Sequence, residues 1–425
     1  DKLTVLNVNN NNLQTLSFLA DKGETLVELY AENNEIESFS FIRELTGLKR
    51  LLLAGNSGVY ESSLCKYLSG LTQMQSLTLS GKDLRTLAFL DFMPNLVRLD
   101  IANCNVPSYY PESFTLTDGV LTVESYTDNI EKLLALKSNL QYLDISNSGF
   151  GYGNEGMETF FARCGQNVAI DEVSFAGSTP ADFNALYEMT NLKVLYADNL
   201  LEKVDANSLF TLMTGLRYLS MENCGIDDAS WLYKFRGLIY VDLADNEFSD
   251  FDFRNHLSPR SRGTLTYLYL DTDNECEFAD AYDSFDDNSL KELSLGGVNV
   301  GAMDKLPDMA SLEYLDLSNS GITNLVGENV DFDGWFNLSR YKNLKNLNLS
   351  GVQADIAEVS GLPELETFYA VGTVNDTIFQ KQNLLELYSL YNKGVTCYLY
   401  NSDSKFVPRS STEGSLILGT LDEYS

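Results

Sequence analysis

The chain has 425 residues and carries 61 acidic against 29 basic side chains, for a net charge of −32 with one histidine. A field of that sign opposes binding to the phosphate backbone of nucleic acid and to an anionic membrane surface. No run of about eighteen apolar residues is present, so no segment reads as inserting into a bilayer.

From the start of the chain a single pattern recurs: L-x-x-L-x-L, usually closed by a polar or small residue three positions later. Its first hydrophobic position falls at Leu3, Leu26, Leu48, Met74, Leu96, Leu140, Ile170, Leu192, Leu216, Leu238, Leu265, Leu290, Leu312, Leu344 and Leu365. Six of the fourteen spacings are 21 or 22 residues, one is 44, and the rest run from 23 to 32. Within each unit the x-L-x-L-x stretch alternates with period two, which predicts a short strand with two side chains in the core and the flanking residues outside. One unit cannot bury its apolar face alone, so the units must stack edge to edge into a parallel sheet with continuous columns of Leu. Fifteen strands at about 4.8 Å each would give a ladder on the order of 70 Å long.

The polar residue after the strand is Asn11, Asn34, Asn56 or Asn246 in some units and Cys104, Cys224, Ser148, Ser178, Ser320 or Thr373 in others. It sits where the chain turns away from the sheet, and an Asn amide there suits backbone groups that the turn leaves unpaired. Longer spacings predict loops or short helices after Asn103, Asn147, Asn199, Asn246, Asp271 and Gly321. Thr127 to Leu136 reads as a helix with apolar Ile130, Leu133, Leu134 and Leu136. The 44-residue interval has room for one further, degenerate repeat. Beyond the repeats, Asn375 to Leu390 reads as a terminal helix and Val395 to Tyr400 as a last strand closing the core. Residues 401–425 read as a polar tail whose apolar run, Ser415 to Leu418, packs back on that cap. Asp1 is followed at once by a repeat strand with no capping segment, which implies an upstream segment or domain.

The best-preserved copies are LEYLDLSNSGITNL from Leu312, LIYVDLADNEF from Leu238, LVELYAENNEI from Leu26 and LQYLDISNSGF from Leu140. They resemble the leucine-rich repeat. The basic period of 22, with further apolar positions as in Asn34-x-Ile36-x-x-Phe39-x-x-Ile42, is most similar to the short-repeat bacterial subclass that includes internalin-type proteins. The resemblance covers residues 1–374, about fifteen repeats, and leaves 375–425 as a C-terminal cap and tail. It implies an α/β leucine-rich-repeat solenoid, or horseshoe. A parallel β-sheet would line the concave face, with short helices, 3-10 turns and loops on the convex face. It also implies a non-enzymatic recognition module that is secreted or attached to a bacterial surface, although a fold does not by itself fix function.

Signs of chemistry are few. His256, in RNHLSPRSR, has no nucleophile motif beside it and reads as structural or exposed; G-x-S-x-G, phosphate-loop and dinucleotide-binding signatures are absent. Carboxylates are so abundant that no acid/base pair stands out, and stacked repeats build an open surface rather than a deep cleft. The chain therefore reads as a protein without enzymatic activity or cofactor. The six cysteines are scattered without a C-x-x-C pair, and they read as buried structural thiols rather than a metal site or disulfide framework. Asp271, Asp273 and Glu275, in an acidic stretch continuing to Glu277, Asp280, Asp283, Asp286 and Asp287, are a weak calcium candidate. A solvated acidic loop is the favoured reading, since the spacing lacks the Gly and terminal Glu of an EF-hand.

The outward strand positions follow from the register. Tyr142, Tyr196, Tyr218, Tyr240, Tyr267, Tyr269, Tyr314 and Tyr369 form a partial stripe, alternating with carboxylates that include Asp100, Asp144, Asp242 and Asp316. Earlier repeats present Val5, Asn7, Glu28, Tyr30, Arg50 and Leu52. Tyr has high strand propensity and stacks on its neighbour, which accounts for the stripe without a ligand. Rigid amphipathic rings beside carboxylates equally suit binding. The partner that fits such a face is a protein with a basic patch, a host protein being one candidate; a glycan of the cell wall or cell surface is the next choice, and an intracellular scaffold is the third reading.

Overall fold

The computed structural model describes residues 3–56, 62–117, 120–149, 156–164, 169–178, 186, 189–200, 213–279, 289–306, 308–323, 325, 338–354, 356, 359–372, 381–399, 405, 409–410 and 416–417. The chain divides into two compact units, residues 1–204 with 208–215 and residues 205–207 with 216–425.

In the first unit eight short strands pair in parallel, in chain order: Val5–Asn7, Glu28–Tyr30, Arg50–Leu52, Ser76–Thr78, Arg98–Asp100, Tyr142–Asp144, Glu172–Ser174 and Val194–Tyr196. The second unit repeats the arrangement with Tyr218–Ser220, Tyr240–Asp242, Tyr267–Tyr269, Glu292–Ser294, Tyr314–Asp316, Asn346–Asn348, Thr367–Tyr369 and Thr396–Tyr398. Each of the fifteen repeats thus supplies one strand, starting two residues after its first hydrophobic position. The sixteenth strand lies in the segment expected to close the core. This is the leucine-rich-repeat solenoid that the pattern implied.

The register explains why so short a strand persists. Leu29, Leu51, Leu77, Leu99, Leu143, Val173 and Leu195 stand opposite one another in the first unit, and all are buried. Leu219, Val241, Leu268, Leu293, Leu315, Leu347, Phe368 and Cys397 do the same in the second. Burying one such side chain contributes roughly 1.5–3 kcal/mol, so each three-residue strand is held by its neighbours rather than by its own length. The return segments are mostly single 3-10 turns, including Ser17–Lys22, Ser40–Glu44, Ala88–Phe92 and Ser230–Lys234. These turns bury Leu19, Phe41, Ile42, Phe89, Leu90, Trp231 and Leu232.

The post-strand Asn acts as expected. Asn246 is 1% exposed; its Nδ2 donates to the Met221 and Leu243 carbonyls at 2.7 and 2.9 Å, and its Oδ1 accepts from the Cys224 and Ile226 amides, both at 3.0 Å. Asn34 and Asn56 make equivalent sets to their own and the preceding repeat. The residue just before the ladder position is left-handed: Asn33, Asn103, Asn147, Asn223, Asp245 and Asn319 have φ between 49° and 56°. Gly55 takes the same role at φ 66°, where a Cβ would lie 2.1 Å from Asn33 Oδ1, so any side chain there needs the Asn33 amide to move. In one repeat the ladder position is held by Lys82, buried to 4% exposure, whose Nζ donates to the Asn56 carbonyl at 2.6 Å.

The 44-residue interval departs from expectation. Arg98–Asp100 pairs directly with Tyr142–Asp144, so no further ladder strand separates them. The interval is filled by an antiparallel hairpin, Tyr109–Thr117 with Val120–Asp128, followed by the helix Asn129–Leu134. Asp128 caps that helix by accepting from the Glu131 amide at 3.1 Å. The helix is shorter than expected, because the residues before Asp128 belong to the hairpin.

At the C-terminus the helix spans Lys381–Asn392, with Leu387 and Leu390 buried, and the last strand is Thr396–Tyr398. Residues 373–380, including the ladder position Thr373 and the expected helix start, lie outside the described residues. Within the tail, Leu416–Ile417 pairs antiparallel with Arg409–Ser410. Among the described residues no helix is long and apolar enough to cross a membrane.

Candidate recognition face

With the middle strand residue buried, the first and third project outward. In the second unit this places Tyr218, Tyr240 and Tyr267 directly opposite one another on successive strands, with Tyr269 diagonal to Tyr240. The rings meet: Tyr218 and Tyr240 stack with centroids 6.5 Å apart, and Tyr240 lies 6.1 Å from Tyr267 and 5.7 Å from Tyr269. Tyr218 remains 36% exposed, and the others are half-buried by their neighbours. Tyr369 and Tyr398 stack almost parallel on the last two strands, at 4.6 Å and 8°.

The adjacent carboxylates turn out to be partly committed to the backbone. Asp242 Oδ1 accepts from the Ala244 amide at 3.1 Å while Oδ2 accepts from the Tyr240 hydroxyl at 3.1 Å. Asp316 repeats this with the Ser318 amide at 2.8 Å and the Tyr314 hydroxyl at 3.3 Å, and also accepts from Asn348 Nδ2 at 2.6 Å, which leaves it buried. Asp144 does the same with the Ser146 amide and Tyr142. An outward Asp at the third strand position therefore satisfies the amide where the strand ends and holds the preceding Tyr. Sequence reasoning treated these carboxylates as surface acceptors only; the recurring Tyr-x-Asp spacing was the available signal.

The phenols stay protonated. Burial, then the nearby carboxylates, raises the Tyr142 and Tyr314 hydroxyls well above their ordinary range. Tyr269 is raised in the same way, by burial and by its hydrogen bond to Glu292. Each is held as a neutral hydrogen-bond donor.

The predicted residues do not form one site. Tyr218, Tyr240, Asp242, Tyr267 and Tyr269 are brought together. Tyr314 and Asp316 stand one strand further, beyond Glu292–Ser294. Tyr142 and Tyr196 belong to the first unit and are separated by the strand Glu172–Ser174. There Tyr142 packs against Arg98, whose Cζ lies 3.9 Å from the ring centroid. Arg98 did not figure among the outward residues singled out from the sequence.

Over its described part the acidic stretch leaves Asp273, Glu275 and Glu277 exposed, as a solvated loop would, whereas Asp271 is engaged. Asp271 Oδ1 accepts from Ser294 Oγ at 2.5 Å and the Gly296 amide at 2.8 Å, and burial, partly offset by these hydrogen bonds, holds its carboxyl above the usual carboxylate range. Thr272 donates to the Asn246 carbonyl at 3.2 Å, and Glu277–Phe278 pairs with Asp250–Phe251. Asp273 and Glu275 project without joining Asp271: among the described residues no group of three or more His, Cys, Asp or Glu side chains is placed to hold a metal ion. Asp280, Asp283, Asp286 and Asp287 lie outside the described residues.

His256 packs edge-on against Phe251 at 5.1 Å, and its Nδ1 accepts from the Asp252 amide at 3.1 Å; burial lowers its basicity. The six cysteines are free thiols. Burial raises Cys65 and Cys276 to about 11 and Cys104, Cys164 and Cys397 to about 12, far from the thiolate that redox or nucleophilic chemistry needs.

Comparison with solved structures supports the same class of fold. The chain is similar to an internalin (inlF) from Listeria monocytogenes at 18% identity and a TM-score of 0.51, covering 86% of each chain. It is also similar to a leucine-rich-repeat protein from Leptospira interrogans at 17% identity and a TM-score of 0.56, covering 94% of this chain and 96% of that one. A third likeness is to a chain of the mouse RP105/MD-1 complex, at 14% identity and a TM-score of 0.51, covering 87% and 71%. No family model and no curated protein matches the sequence. The chain has the leucine-rich-repeat fold seen in internalins and other bacterial repeat proteins.

Proposed function

We propose that this chain is a non-enzymatic recognition module that holds a protein partner against the outward face of its second unit, with the Tyr218, Tyr240, Tyr267 and Tyr269 cluster at the centre of contact. The observation that carries the reading is that these rings pack on one another on three successive strands while part of each remains open. Rings fixed before binding lose little freedom on contact, and Tyr offers large amphipathic area. No Lys or Arg occupies an outward position on the second unit's ladder strands, and Asp242 and Glu292 flank the rings. A partner surface bearing Lys or Arg complements that charge. The likeness in fold to a chain of the mouse RP105/MD-1 complex is in keeping with protein recognition, and the likeness to an internalin of Listeria monocytogenes with a bacterial origin.

The test screens the purified chain against panels of host extracellular proteins and of glycans, each at low and high salt. A protein hit that weakens with salt is expected, since attraction between exposed charges is screened. Tyr240→Ala and Tyr269→Ala should each weaken that hit at least tenfold while the chain still unfolds cooperatively, with only a small drop in midpoint from the lost ring contacts. Undiminished affinity in both variants would overturn the assignment, and a salt-insensitive glycan hit with a blank protein panel would replace it with a carbohydrate-binding role.

A further inference from the structure

On the first unit a different chemistry occupies the same strand positions. Arg50, Ser76 and Arg98 stand opposite one another on successive strands, which sets the two arginines about 10 Å apart along the ladder with a hydroxyl between them. They line a depression of about 280 Å³ with Thr78 beside Ser76 and Leu52 among its apolar walls. Arg50 and Arg98 are the only basic residues at outward positions of the described ladder strands of this unit.

Both guanidinium groups are pre-positioned by aromatic rings. Arg98 lies over Tyr142 at 3.9 Å, and Arg50 lies 5.9 Å from the Tyr30 ring centroid while its Nη1 donates to the Tyr30 hydroxyl at 2.8 Å. Each retains unused donors: Arg98 has one loose contact with Glu172, at 3.7 Å, and Arg50 reaches Glu28 only through the Tyr30 hydroxyl, which donates to that carboxylate at 2.6 Å. The remaining carboxylate in the wall, Asp100, is engaged through Oδ1 by Ser80 Oγ at 2.5 Å and the Ala102 amide at 3.0 Å. Ser76 and Thr78, by contrast, have hydroxyls with no hydrogen-bond partner among the described residues.

We infer that the Arg50, Ser76 and Arg98 depression is a binding site for one carboxylate of a peptide segment, seated on the Ser76 and Thr78 hydroxyls with the guanidinium groups of Arg50 and Arg98 flanking it from either side. Guanidinium forks match carboxylate geometry, and arginines held on aromatic rings lose less freedom when they bind. The size argues for a side chain or chain end of a larger partner, because sites for free small molecules run to about 300–1,000 Å³. The net charge of −32 argues against polyanions, which the whole molecule repels, and leaves a singly charged group on an otherwise neutral segment. This site is independent of the aromatic cluster on the second unit.

The probe is an array of hexapeptides in three series: an internal Glu with an amidated end, a free C-terminal carboxylate without internal acid, and neither. The full chain is applied in parallel with Arg50→Gln, Arg98→Gln and Tyr240→Ala. Binding confined to the carboxylate-bearing series is expected, with at least tenfold loss in Arg50→Gln and Arg98→Gln, both exposed changes that leave the unfolding midpoint in place, and none in Tyr240→Ala. Preference between the first two series tells a side-chain carboxylate from a chain terminus. The inference is overturned if the three series bind alike, if no peptide binds, or if both Gln variants bind as the parent does. Loss in Tyr240→Ala alone would move the acidic site away from these arginines without touching the first unit's fold.

Discussion

The ladder faces of the two units share a backbone and differ in chemistry. At the first outward strand position the first unit places Arg50, Ser76, Arg98 and Tyr142 in succession, whereas the second places Tyr218, Tyr240 and Tyr267. Rings in the first unit support guanidinium groups; rings in the second support one another. The buried columns beneath are interchangeable Leu, Val and Phe. A repeat fold therefore separates its two tasks by residue parity: the inward residue sets stability and the outward residues are left to specify what is bound.

The largest effects are expected at the core. Leu51→Ala in the first unit and Leu268→Ala in the second remove fully buried side chains and should each cost about 2–5 kcal/mol in denaturant unfolding. A cost below about 1 kcal/mol in either unit would mean that its core is not the common element assumed. Asn246→Ala should cost about 1–3 kcal/mol, since it strands two carbonyls and two amides that one buried amide now serves.

Lys82 stands in the first unit where other repeats use Asn. Burial lowers its pKa to about 8. Below pH 8 the ammonium is charged in both folded and unfolded chains, so its burial cost is constant. Between about pH 8 and pH 10 the unfolded chain holds the proton and the folded chain does not, so stability from this group rises with pH. Lys82→Asn should therefore be more stable than the parent below pH 8, by about 1–3 kcal/mol, and its advantage should shrink up to pH 10. An advantage independent of pH would remove the ionisation account. The smallest effect belongs to the outward faces: Arg98→Gln and Tyr218→Ala should leave stability within about 0.5 kcal/mol while changing what each unit binds, measured by calorimetric unfolding beside the binding assays.

The strands were legible because period-two alternation and burial make the same demand on every repeat; Leu26, Leu140 and Leu312 announce the strands that follow them. The hairpin from Tyr109 to Asp128 was missed, although Asp118-Gly119 lies between two alternating stretches, the strongest short-range hairpin signal. The hairpin repeats with period two and carries no Leu unit, so the repeat pattern has nothing to match there. The left-handed position was also readable in retrospect, since Asn33, Asn103 and Asn223 directly precede their ladder residues and Asn tolerates that conformation. The recognition face was legible only in part. Register gave the Tyr stripe, but the capture of Asp242 and Asp316 by backbone amides is a matter of side-chain geometry. The pairing of Arg50 with Arg98 across 48 residues was hidden by a composition that reads as uniformly acidic.

The account rests on recognition by the outward ladder strands rather than by the 3-10 turns. Those turns also expose apolar side chains, Phe18 at 61% and Phe92 at 49%. The most direct measurement is the affinity of one identified protein partner for Tyr240→Ala and for Phe92→Ala, by titration calorimetry at a single salt concentration. The account predicts at least a tenfold loss for Tyr240→Ala and none for Phe92→Ala; loss in Phe92→Ala with Tyr240→Ala unchanged would contradict it.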